Sequence, residues 1–146
     1  MNPLGRLGAL VPLLVLAVGC GGGTLSVLHA RGKAKGDGPA QVAVQNSSGV
    51  PIERLYVAKA EDVQKAKRNG VAPDTEGDQA LWGDDQLGNT GLMAGSTWSG
   101  LLTLPADRYD VLVVDHDHRE QLVEHVTLKP GGKYVLEIGD DWTQAR

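Results

Sequence analysis

Seven consecutive residues constrain this chain more than any others: Tyr109-Asp110-Val111-Leu112-Val113-Val114-Asp115. Extended, they place Tyr109, Val111 and Val113 on one side and Asp110, Leu112 and Val114 on the other. Three of them are β-branched valines, which suit a crowded sheet surface. A strand with apolar groups on both sides must be covered on both faces. The run therefore predicts a central strand, bracketed by turns at Pro105-Ala106-Asp107 and Asp117-His118-Arg119.

The flanking segments supply its neighbours. Residues 41–45 alternate, with Val42 and Val44 in phase, and 52–58 follow after a turn at Asn46-Ser47-Ser48-Gly49, with Leu55 and Val57 in phase. These two read as a first hairpin. Residues 97–104 carry Trp98, Leu102 and Leu104, residues 120–129 carry Leu122, Val126 and Leu128, and 134–138 form the last strand after Pro130-Gly131-Gly132-Lys133. Between the second and third of these strands the period changes. Glu61 and Asp62 lead, Val63 and Ala66 make a narrow stripe, Lys65, Lys67 and Arg68 follow, and Gly70 stops it, which predicts about two turns of helix. Turns recur every ten to twelve residues. The predicted class is all-β: a small antiparallel β-sandwich spanning 40–139, with one short helix inserted after the second strand and a polar tail at 140–146. With no Phe in the chain, its core is predicted to be Val, Leu and Ile with a few Trp and Tyr plugs.

The amino-terminal stretch has a different composition. Arg6 precedes a mainly apolar run at 7–18, too short to span a bilayer alone, and the run ends at Leu16-Ala17-Val18-Gly19-Cys20. That ending resembles a bacterial lipoprotein lipobox, in which the Cys thiol accepts the lipid; Ala17 stands where Leu is usual. The resemblance implies a signal peptide at 1–19, lipidation of Cys20, and membrane attachment through that lipid. It implies the outer membrane where the cell has one, because Gly21 rather than Asp follows the Cys. Cys20 is the sole cysteine, so no intrachain disulfide can form. Residues 20–39 are Gly-rich and basic and read as a flexible tether. A signal peptide with an incidental Cys, and an uncleaved anchor over 7–29, stand as rivals; glycines at 19 and 21–23 and the basic Arg31, Lys33 and Lys35 weigh against the second.

The least regular stretch, 71–96, holds Asp74, Glu76, Asp78, Asp84 and Asp85 without one Lys, Arg or His. It also contains Trp82-Gly83-Asp84-Asp85, the candidate binding or structural motif. Its apolar spacing through Leu81, Trp82, Leu87, Leu92 and Met93 predicts a loop tied down by its own side chains. From Leu102 onward, Leu-x-Leu-Pro-Ala-x-x-Tyr-Asp-Val-x-Val-x-Asp and the later Val-x-Leu-x-Pro-Gly resemble the prealbumin-like, carboxypeptidase-regulatory-like β-sandwiches. Asn46-x-x-Gly49, Leu55-Tyr56-Val57, Trp82-Gly83-Asp84-Asp85-x-Leu87, Leu92-x-x-Gly95 and Tyr109-Asp110 together are similar to small, uncharacterised bacterial secreted proteins with a Trp-Gly-x-Asp-x-Leu signature. That second likeness implies no known activity. This chain departs from it in the segment before Trp82 and in lacking a Gly in the turn after Asp115.

Several chemistries can be weighed on these residues. Asp84 and Asp85 offer hard oxygen ligands for calcium, but the spacing of an EF-hand is absent, and the alternative is that they cap a turn around a buried Trp82. Asp115-His116-Asp117-His118 carries metal-type side chains at a predicted hairpin tip. A two-residue turn at His118-Arg119 would set His116 opposite Gln121 and Leu112 opposite His125. No Gly-x-Ser-x-Gly elbow marks a nucleophile. After residue 20 there are thirteen Lys and Arg against eighteen Asp and Glu, a net charge of −5, which disfavours a nucleic-acid partner. The leading expectation is a lipid-anchored, non-enzymatic protein of the cell envelope, without a cofactor or metal, that binds another envelope protein or a glycan or serves structurally. A calcium- or carbohydrate-binding module is the alternative, and an envelope hydrolase the third.

Overall fold

The computed structural model describes residues 25–73 and 79–142. The chain is mainly β, in two sheets with few helices. Its strands are β1 (Val27–Ala30), β2 (Ala40–Asn46), β3 (Ile52–Lys59), β4 (Leu102–Leu104), β5 (Arg108–Asp115), β6 (Glu120–Thr127) and β7 (Lys133–Ile138). One sheet has the order β1-β7-β2-β4 and the other β3-β5-β6.

The Tyr109–Asp115 run is the middle strand of the second sheet, and every residue of it is buried. Its two sides meet different partners. Tyr109, Val111 and Val113 enter a cluster with Val42, Val44, Leu136 and Ile138 of the first sheet and with Leu55 of β3. Leu112, on the other side, packs with Ala58, Val63 and Trp82. That second face is covered by helix α1 (Ala60–Arg68) and the single turn α2 (Gln79–Trp82). Helix α1 follows the predicted charge order, acidic Glu61 and Asp62 first and basic Lys65, Lys67 and Arg68 last, and Gly70 leaves it in the left-handed region at φ 79°.

Four features depart from the sequence expectation. First, 41–45 and 52–58 do not form a hairpin. β2 and β3 lie in different sheets, and β2 pairs in parallel with β7, so the first sheet is mixed rather than antiparallel. The turn between them is steered by Asn46, whose buried amide donates to the Val50 and Leu92 carbonyls (2.8 and 3.0 Å) and accepts from the Ser48 amide and hydroxyl (3.0 and 2.6 Å). Second, residues 97–104 are not one strand. Thr97 makes a lone bridge to Gln45, and only Leu102–Leu104 pairs regularly with β2. Trp98 folds back between them, and a Cβ at Gly100 would collide with its ring. Third, Val27–Ala30, within the stretch read as a tether, pairs as β1 with the edge of β7.

The β5–β6 connection is also wider than a two-residue turn. Leu112 faces Leu122 and Val113 faces Gln121, not the register that a His118-Arg119 turn would impose. The cause is Asp115. Its fully buried carboxylate accepts from the Asp117 and Arg119 amides (2.9 and 2.8 Å) and pairs with the Arg119 guanidinium (2.6 Å), holding a loop from 115 to 119. The left-handed residue this loop needs is His118, at φ 58°. Histidine tolerates that region better than most residues, so the Gly missing after Asp115 is not required.

Candidate functional site

The Trp82-Gly83-Asp84-Asp85 motif ends the α2 turn and begins a loop that ties the two sheets together. Trp82 is 2% exposed and fills the space between helix α1 and β5. Among the described residues its indole Nε1 has no hydrogen-bond partner. Gly83, at φ 67°, redirects the chain after it. Asp84 points into solvent, whereas Asp85 turns inward and accepts from the Leu55 and Leu87 amides (2.8 and 3.1 Å). The Gln86 amide then donates to the Leu55 carbonyl at 2.8 Å. β3 is an edge strand, so an outward-facing amide and carbonyl at Leu55 would otherwise need water or another chain. Asp85 and Gln86 satisfy both.

Further along, Ile52 and Leu92 exchange both main-chain hydrogen bonds (2.9 and 2.7 Å). The loop then crosses to the other sheet. The Gly95 amide donates to the Asn46 carbonyl, the Asn46 amide to the Ser96 carbonyl, and the Trp98 amide to the Val44 carbonyl, all within 2.9 Å. Trp82, Asp85, Leu87, Leu92 and Gly95 thus belong to one strap, clamped to Leu55 of β3 at one end and to Asn46 and Val44 of β2 at the other.

Between this strap and the start of β3 lies an open cleft of about 590 Å³, lined among others by Glu53, Arg54, Asp85, Asn89, Met93 and His116. Glu53 reaches it because a β-bulge between Ile52 and Arg54 leaves it unpaired with β5. Its carboxylate meets His116 Nδ1 at 2.8 Å, and that hydrogen bond raises the imidazole pKa above its ordinary 6.5. Arg54 Nη2 sits 3.3 Å from His118 Nδ1. Met93 is 65% exposed at the rim, and with Pro51, Ile52 and Leu92 it gives the cleft an apolar patch beside a polar, mixed-charge wall. Its size falls within the range of small-ligand and peptide-side-chain sites.

The sequence picked out Trp82, Gly83, Asp84 and Asp85 but not Glu53 or Arg54, and it placed Met93 among the side chains that tie the loop down, whereas Met93 is exposed at the cleft's rim. A bulge and a loop crossing from sheet to sheet leave no periodic signal. Among the described residues no three His, Cys, Asp or Glu side chains converge as metal ligands. Three buried or half-buried carboxylates serve the main chain instead: Asp85 on Leu55 and Leu87, Asp115 on its own loop, and Asp110 on the His125 amide at 2.8 Å. The last stabilises a bulge in β6, where His125 adopts φ 62°. Trp82 is too buried to stack on a sugar. Trp98 and Trp142 pack half-buried against the core, with the Arg119 guanidinium 5.9 Å from the Trp142 ring centre. Cys20, Asp74, Glu76, Asp78 and the last four residues lie outside the described residues. Among those described, no helix is long and apolar enough to cross a membrane. Neither a protein-family model nor a curated protein matches the chain.

Proposed function

We propose that this chain is a lipid-anchored protein of the cell envelope, a small β-sandwich with a helical cover, and that it works by binding rather than by catalysis. The observation that carries the reading is the apolar run 7–18 ending in Val18-Gly19-Cys20, with the chain's sole thiol at the position the lipobox requires. The sandwich reading is supported by a single aliphatic cluster that draws on both sheets. The binding reading is supported by how the acidic residues are used. Asp85 and Asp115 hold amides of the β3 edge and of the β5–β6 loop, which fixes the main chain on two sides of the cleft at Glu53 and His116. We assign the partner to that cleft, as a short segment of another envelope protein or a glycan presenting polar groups beside an apolar patch.

Intact mass of the protein purified from membranes tests the anchor. Cleavage before Cys20 with acyl mass on that residue is the expected result, and Cys20→Ser should abolish both, leaving a longer chain without acyl mass. A wild-type mass without acyl addition would sink the reading.

A further inference from the structure

Residues 25–38, which follow Cys20 in the chain, are laid down on the folded body rather than hanging free. Ser26 is held at one end of β1, its hydroxyl donating to Gln121 Oε1 and accepting from the Gly139 amide (both 2.9 Å). Beyond β1 the Arg31 amide donates to the Lys133 carbonyl (2.7 Å), the Lys35 amide to the Gly131 carbonyl (3.1 Å), and the Gly131 amide to the Gly38 carbonyl (2.7 Å). Gly131 is needed there. It sits at φ 61°, and a Cβ on it would collide with the Lys35 carbonyl.

This docking gathers charge. Arg31, Lys33 and Lys35 come to lie along the β6–β7 turn that carries Lys129 and Lys133, and all five are exposed. Residues 25–38 and 128–138 bring only two carboxylates, Asp37 and Glu137, and Glu137 is paired with His29 at 3.2 Å. The whole chain is net negative, at −4, so a basic face is a local concentration against the overall sign. The outward side of β1 continues it with apolar groups. Leu25 and Val27 are 69% and 43% exposed, while Leu28, facing inward, packs on the core. Near Leu25 the acidic Glu124 and Asp141 line a shallow depression, and Glu124 is tied to Lys67.

We propose that the β1 edge, with the segment 31–38 and the β6–β7 turn, is the face that lies on an anionic lipid bilayer. The proposal rests on the lipid-anchor reading for its geometry. Only Gly21 to Thr24 separate Cys20 from Leu25, a reach of about 18 Å when fully extended. A body held that close presents one side to the headgroups, and this side combines two exposed apolar residues next to the anchor with five cations beyond them. A basic residue near such a surface contributes about fivefold in affinity, and the attraction weakens as salt screens it. The surface also places the cleft's β3 edge in the other sheet, so a partner can bind there without leaving the membrane.

The test uses the full-length Cys20→Ser chain, which carries no lipid, and measures its binding to vesicles of phosphatidylcholine with phosphatidylglycerol against vesicles of phosphatidylcholine alone. Any contribution of the apolar run 7–18 is common to both, so the ratio isolates the charge. The ratio should exceed about a hundredfold at low salt and collapse at high salt. Arg31→Gln with Lys33→Gln and Lys35→Gln should lower binding to the anionic vesicles roughly a hundredfold. Lys129→Gln with Lys133→Gln should lower it less, providing a second variant should the triple fail to fold. A ratio near one for the Cys20→Ser chain, or a ratio that survives both variants, overturns the proposal. So does equally tight, salt-sensitive binding to soluble polyphosphate, which would mark the partner as a free polyanion. Failure of the anchor reading is seen separately, as missing acyl mass on the wild-type protein, and leaves the vesicle ratio unchanged.

Discussion

The two faces of β5 are buried equally well by different means. On one side Tyr109, Val111 and Val113 meet aliphatic residues of the other sheet, and the cover is a second set of strands with the same two-residue period. On the other side Leu112 lies beneath Val63 of helix α1 and Trp82 of the α2 turn, and the cover is assembled from a helix, a turn and a loop. The first contact depends on repetition and the second on a few residues in fixed places. Two of the buried charges hold the main chain. Asp110 projects from the helical side of β5 and holds the His125 amide of the β6 bulge, while Asp115 closes the loop at the strand's end.

The largest expected effect probes the first face. Val113→Asp would bury an unpaired carboxylate between the sheets, at a cost of several kcal/mol out of a total of about 5–15 kcal/mol. Loss of the cooperative urea transition is the expected outcome. A variant that melts like the parent would mean that the faces are not built as described. Truncation of Trp82 probes the second face. Trp82→Ala should cost about 3–5 kcal/mol, and its damage should concentrate in helix α1 and residues 79–87, as read by hydrogen exchange. Uniform loss of protection across both sheets would show that the helical cover is no separate unit.

A smaller effect distinguishes the motif's two acids. Asp85→Ala leaves the Leu55 and Leu87 amides without their acceptor and should cost about 1–3 kcal/mol, whereas Asp84→Ala should stay within about 0.5 kcal/mol. Chemical denaturation of both variants checks this, and calcium should raise the parent's melting temperature no more than monovalent salt at matched ionic strength. A calcium-specific shift lost in Asp85→Ala would turn the strap into an ion site. The smallest effect lies at the cleft. The Glu53–His116 pair raises the imidazole pKa, so its contribution to stability is complete below 6.5 and fades as pH rises through the higher folded value. His116→Gln should remove that slope of stability with pH. With the His116 side chain 71% exposed, the slope should be shallow. An unchanged pH profile would show that the pair does not form in solution.

Much of this architecture is written locally. The run at 109–115 declares a strand buried on both sides through its own composition, and the split of its residues between two faces follows from a period of two. Helix α1 can be read from its charge order and its terminal Gly70, and the need for ties in the acidic loop from the spacing of Trp82, Leu87 and Leu92. Tertiary structure alone decided which strands meet. The pairing of β2 with β7 joins residues some ninety positions apart in a parallel register, through main-chain hydrogen bonds that any side chain could accompany. The docking of Val27–Ala30 on β7 and the crossing of the strap from Leu55 to Val44 depend likewise on edges that exist only once the sheets have formed. Side-chain pattern specifies what a segment buries. The partner that buries it is chosen by free donors and acceptors on other segments, and those leave no mark in the local sequence.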